Sequence, residues 1–185
     1  MEPNIIKAQW QNWAGDAIEN LVLKKTNEDI LVESIIISKG MENPTTKYTI
    51  RCDSLWRVRE LNIRSVETKK EISLKSDGLG KWFDDLRIIN DLTGAFDVDI
   101  EATPFTNTLP IRRLNLREKQ TEEILVVYIT VPGLRYFVDR QRYTCLIPNE
   151  RYRFEQVNTE FVQDIEVDKY GLVLIYPNLF KRTIT

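Results

Sequence analysis

Apolar side chains recur at every second position through most of this chain, and that spacing commits it to extended strands. Tyr48, Ile50 and Cys52 alternate with Thr49, Arg51 and Asp53. Val98 and Ile100 alternate with Asp97, Asp99 and Glu101, and Leu114 and Leu116 with Arg113, Asn115 and Arg117. Tyr152 and Phe154 follow the same rule, as do Ile165 and Val167. Successive side chains of a strand point to opposite faces, so each segment reads as a half-buried strand with one wet face, the pattern of antiparallel sheets. Residues 35–37, 124–127 and 172–175 are apolar without alternation and are expected in strands covered on both faces.

Where the alternation breaks, the break is informative. Trp56 and Val58 fall on even positions, but Leu61 and Ile63 on odd ones. A β-bulge near Glu60 absorbs one extra residue and bends the strand, and such bends curl a sheet toward a barrel. Residues 81–90 place Trp82, Phe83, Leu86 and Ile89 near one helical face, which predicts a short helix. Turns are marked at Ser76-Asp77-Gly78, Pro132-Gly133, Pro148-Asn149 and Tyr176-Pro177-Asn178. No repeat or Pro/Gly/Ser-rich linker divides the 185 residues, so a single domain over 1–185 is expected. The expected fold is mainly β (α+β): a strongly curved antiparallel sheet forming a half-open or closed barrel, with one or few short helices.

Composition narrows the chemistry. There is no histidine, which removes Ser-His and Cys-His catalysis within this chain and His-ligated zinc. Lys and Arg number 26 against 28 Asp and Glu, giving a net charge of −2, which is unlike the basic footprint of a nucleic-acid binder. No nucleic-acid partner and no cofactor or metal are expected. No apolar run approaches the ~20 residues of a membrane-spanning helix. The start Met1-Glu2-Pro3-Asn4 lacks the features of a secretory leader, so a cytoplasmic location is expected. Cys52 and Cys145 then read as reduced, buried thiols.

The densest signal runs from Asp97 to Leu114. It reads as a strand, a polar connection held by Pro104 and Pro110, and a second strand. Alternation places Asp97, Asp99 and Glu101 on one face, successive side chains ~6.5–7 Å apart. Such a row needs cations nearby, and Arg112, Arg113, Arg57 and Arg59 are the candidates. Three readings stand: a solvated strand face with ordinary ion pairs, a polar binding surface, or a hard-cation site. Most aromatics belong to the core. Tyr136, Phe137, Tyr143, Tyr152 and Phe154 are a second candidate lining set.

The same segment resembles a known family. Thr103-Pro104-Phe105-Thr106-Asn107-Thr108-Leu109-Pro110-Ile111-Arg112-Arg113-Leu114, preceded by Asp97-Val98-Asp99-Ile100, is similar to the signature of the bacterial "putative glycolipid-binding" proteins. Further blocks agree in order, among them Trp13 with Gly15, Tyr48 to Asp53 leading to Trp56-Arg57-Val58-Arg59, Asp77-Gly78 with Trp82, Val131-Pro132-Gly133-Leu134, and Gly171 to Phe180. Ala95-Phe96 departs from the pattern, which often carries a cysteine before the first aspartate. The resemblance implies a curved antiparallel sheet like that of the bacterial envelope lipoprotein carriers, which hold acyl chains in the hollow of an unclosed barrel. It implies a non-enzymatic binder of a glycolipid or other amphipathic small molecule. The expected ligand-binding residues are Arg57, Arg59, Asp97, Asp99, Thr106, Asn107, Arg112, Arg113, Trp56, Trp82, Tyr143 and Tyr152. Two other functions stay open. One is a hydrolase or isomerase using Asp97, Asp99 or Glu101 as acid or base. The other is a protein-interaction module working through a sheet edge.

Overall fold

The computed structural model describes residues 4–39 and 44–184. The first three residues, on which the leaderless reading partly rests, lie outside them. Strands dominate, as the alternation requires. They are β1 (Ile5–Asn12), β2 (Ala17–Lys25), β3 (Asp29–Ser38), β4 (Thr46–Asp53), β5 (Val58–Ser65), β6 (Glu71–Ser76), β7 (Trp82–Asp84) and β8 (Arg87–Ile88). After a short 3₁₀ turn come β9 (Ala95–Ile100), α1 (Thr108–Leu114), β10 (Thr121–Ile129), β11 (Tyr136–Ile147), β12 (Arg151–Gln156), β13 (Val162–Val167), β14 (Val173–Tyr176) and β15 (Phe180–Ile184).

All fifteen strands belong to one sheet in the order β8-β7-β6-β5-β4-β3-β2-β1-β15-β14-β13-β12-β11-β10-β9. Every pair is antiparallel except β9 with β10, which is parallel. The first strand pairs with the last, so the chain termini meet in mid-sheet. The two outermost strands, β8 and β9, are consecutive in sequence and separated by residues 89–94. Laid flat, the sheet would hold them ~67 Å apart at ~4.8 Å per strand. The connection reaches at most ~25 Å. The sheet therefore has to curl until its edges come together, although they do not join into a closed barrel.

The seam where the edges meet is tight. Gly94 N–H donates to the Gly80 carbonyl (2.8 Å), and a Cβ on Gly80 would lie 3.2 Å from the Gly94 backbone. Trp82, fully buried, donates from Nε1 to the Ala95 carbonyl (2.7 Å). Inside the curl, one core gathers Trp10, Leu21, Ile30, Val32, Ile50 and Leu61 with Val98, Ile100, Phe105 and Leu109. A second core lies under β10–β14 and takes Ile111 from α1. Trp10 ties the halves together by donating to the Val173 carbonyl (2.7 Å). No helix among the described residues is long and apolar enough to cross a membrane.

Several expectations change. Val58 pairs with Cys52 and Glu60 with Arg51, which makes Arg59 the extra residue of a bulge, one position from that expected. Residues 81–90 are not helical. Phe83 pairs with Ile88 and Asp84 with Arg87 across a two-residue turn, and Leu86 points into solvent, 94% exposed. The second strand expected after Pro110 is α1. Pro110 sits in its first turn, where a missing N–H breaks no helical bond, and left-handed Asn115 ends it. Ile37 is exposed, so the run at 35–37 is not covered twice, whereas Val126 and Val127 are. Phe105 and Leu109, both fully buried, pack in the same core as Val98 and Ile100 of β9. Cys52 and Cys145 are free and buried.

Candidate functional site

Alternation in β9 sends Val98 and Ile100 into the first core and turns Asp97 and Asp99 toward α1. Neither is a solvated face. Asp97 is completely buried and accepts a bidentate hydrogen bond from Arg113, with Nε at 3.0 Å and Nη2 at 2.6 Å. Burial pushes the Asp97 carboxyl up from its ordinary value, and the Arg113 guanidinium pulls it back. The pair fixes the last turn of α1 over β9, and Arg113 also stacks 5.3 Å from the Phe96 ring.

The preceding residue, Arg112, faces a different environment. Its guanidinium lies 5.5 Å from the Trp56 ring. Among the described residues it has no hydrogen bond and no carboxylate partner. The stem is accommodated by Gly171, where a Cβ would come within 2.9 Å of Arg112 Cδ. Trp56 is set by the β4–β5 turn, in which it holds a left-handed φ of 64°. Asp53 organises that turn, accepting from the N–H groups of Leu55 (3.0 Å) and Arg57 (3.1 Å) and from Arg57 Nε (2.8 Å). Arg59 lies 3.8 Å from the same carboxylate.

Together these parts form a cleft of about 640 Å³. Lys25, Arg57, Arg112 and Arg113 line it with Trp56, Phe96 and Tyr152, and no Asp or Glu among the described residues does. Asp53 and Asp97 answer Arg57 and Arg113 from behind the lining. The cleft is therefore electropositive, with two arginines pre-oriented and a third free to bind. Leu55 and Leu79, more than half exposed, form apolar lips.

Of the residues expected from sequence, Trp56, Arg57, Arg112, Arg113 and Tyr152 meet at this cleft. Arg59 stands at its margin and Asp97 beneath it. Asp99 and Asn107 line a separate, smaller cleft of about 230 Å³. Thr106 and Tyr143 support that second group: Thr106 Oγ1 donates to Asp99 (2.9 Å) and the Tyr143 hydroxyl to Asn107 (2.9 Å). Trp82 does not reach either cleft, being locked in the seam. Tyr136 and Phe137 lie on the far end of β11, apart from Tyr152. Sequence reading missed Lys25, Leu55, Leu79 and Asn149. Their only signal was proximity to turns, since periodicity says nothing about which turns converge.

The geometry can now be set beside known proteins. A family profile described as "Putative glycolipid-binding" matches residues 7–182. The crystal structure of a DUF1089 family protein from Pseudomonas aeruginosa is similar over 89% of this chain and 92% of that one, with a TM-score of 0.77 and 33% sequence identity. No curated protein sequence matches.

Proposed function

The chain belongs to the "Putative glycolipid-binding" family, and from that premise we propose that it binds an amphipathic glycolipid-like molecule through an anionic head group held in the Arg112 cleft. One observation carries the reading: Arg112, stacked on Trp56 and without a carboxylate partner among the described residues, faces a cleft that Arg57 and Arg113 also line. Phosphate, or the carboxylate of an acidic sugar, matches the planar guanidinium fork. Asn115, Asn149 and Tyr152 supply polar groups for sugar hydroxyls. Leu55 and Leu79 can cover the first methylenes of an acyl chain, each buried CH₂ contributing roughly 0.8 kcal/mol. The acyl chain is bound at this open lip, where Leu55 and Leu79 are more than half exposed.

The test pairs lipid titrations with Arg112→Ala. Native mass spectrometry of freshly purified protein, and melting temperatures with a lipid panel, report binding. An anionic glycolipid is expected to raise the melting temperature more than a neutral one with the same chains. Arg112→Ala is expected to weaken that binding by about 10- to 100-fold, the range for a hydrogen bond to a charged group. Equal effects of anionic and neutral head groups, or full binding by the variant, would overturn the reading.

A further inference from the structure

The smaller cleft has the opposite character and shares no lining residue with the first. One wall is a continuous run of rings from β12 to β15. Phe154 lies 5.9 Å from Phe161 and 6.1 Å from Tyr176, and Tyr176 lies 6.3 Å from Phe180. Across the space are the carboxylates of Asp99 and Glu101, and no lysine or arginine among the described residues lines it.

Among the described residues neither Asp99 nor Glu101 has an ion-pair partner, unlike several other carboxylates. Asp53, Asp97, Asp164 and Asp168 each have an arginine partner. Asp99 is held only by neutral donors, Thr106 Oγ1 at 2.9 Å and Gln141 Nε2 at 2.6 Å. Glu101 accepts from the Val131 N–H (2.8 Å), and neighbouring Asp139 accepts from Gln156 Nε2 (3.1 Å). Burial raises the Asp99 carboxyl above its ordinary value, and the hydrogen bonds from Gln141 and Thr106 favour its ionised form against that. Aromatic rings beside carboxylates attract a positive group that is itself apolar at its surface.

We propose that this cleft is a second binding site, specific for a small organic cation carrying a quaternary or protonated ammonium group. The aromatic wall takes the alkyl shell of the cation, and Asp99 with Glu101 takes its charge. A volume of 230 Å³ is below the ~300–1,000 Å³ of drug-sized sites, which suits a single head group. The inference does not rest on the Arg112 cleft, and its ligand has the opposite sign.

The probe is choline, with 3,3-dimethylbutanol as its uncharged isostere and glucose as a neutral polyol, each titrated by calorimetry and ligand-observed NMR at fixed ionic strength. Choline is expected to bind with saturation, and the isostere and glucose at least about tenfold more weakly. Asp99→Asn keeps the shape of the cleft and is expected to weaken choline binding. Phe161→Ala is expected to weaken it by roughly 3- to 10-fold through the lost ring. Arg112→Ala should leave it unchanged, which separates this proposal from the reading above. Should Asp99→Asn fail to fold, Phe161→Ala and the exposed Glu101→Gln carry the test. Equal binding of choline and its isostere, preference for glucose, or choline affinity unaffected by the folded cleft variants would each overturn the proposal.

Discussion

Taking a carboxylate out of water favours its neutral form, and Glu19 feels this most directly. It is 3% exposed and accepts hydrogen bonds from Ser34 (2.7 Å), Tyr48 (2.5 Å) and Thr103 (2.6 Å). The three hydroxyls favour the ionised form, but burial outweighs them and raises the pKa from 4.5 to about 7. The native state thus holds the Glu19 proton more tightly than the unfolded chain does. Its contribution to stability is complete below about pH 4.5 and is lost as pH rises through about 7. At roughly 1.4 kcal/mol per pH unit, the loss is about 3–4 kcal/mol. Glu19→Gln is expected to abolish that part of the pH dependence and to be more stable than the parent at pH 8. Urea unfolding at pH 5 and pH 8 checks this, and equal slopes of stability against pH in both proteins would contradict it. Thr103 opens the segment leading to α1, so the same cluster anchors the site-bearing segment to β2, β3 and β4.

At the scale of elements, α1 owes its position to one ion pair more than to its own seven residues, since a helix so short is marginal alone. Arg113→Met would leave Asp97 charged, buried and unanswered. The expected cost is about 3–5 kcal/mol, measured by chemical denaturation. Adding Asp97→Asn should recover part of it, because the stranded charge is gone; no recovery would mean that Arg113 acts through packing on Phe96 instead. The alternation of Leu114 and Leu116 reads as a strand, yet the left-handed Asn115 between a helix and a loop produces the same spacing. The β5 bulge was legible because an inserted residue shifts every later side chain to the other face. The β7–β8 hairpin was not, because three- and two-residue strands are too short to display a period.

For the whole molecule, the decisive element is β15, which bridges β1 and β14 and so joins the two halves of the sheet. Arg182 reinforces the junction, pairing with Asp168 at 2.6 Å and stacking 5.3 Å from Trp10. Ending the chain before Phe180 would expose two sheet edges in mid-structure. The shortened protein is expected to lose its cooperative unfolding transition and to associate through those edges, as circular dichroism and light scattering would report. A monomer with an unchanged melting temperature would show that the halves are held by the seam at Gly80 and Gly94 instead.

Most of the strands, the bend in β5 and the membership of the "Putative glycolipid-binding" family were readable from residue order, as was the need for arginines beside the aspartates of β9, because each depends on neighbours along the chain or on a distinctive local block. The burial of Phe105 and Leu109 in the first core was not, nor was the division of the candidate residues between an electropositive cleft and an aromatic, acidic one. Those outcomes depend on which turns converge when a fifteen-stranded sheet is forced to bring β8 beside β9, and periodicity along a strand carries no information about its distant neighbours.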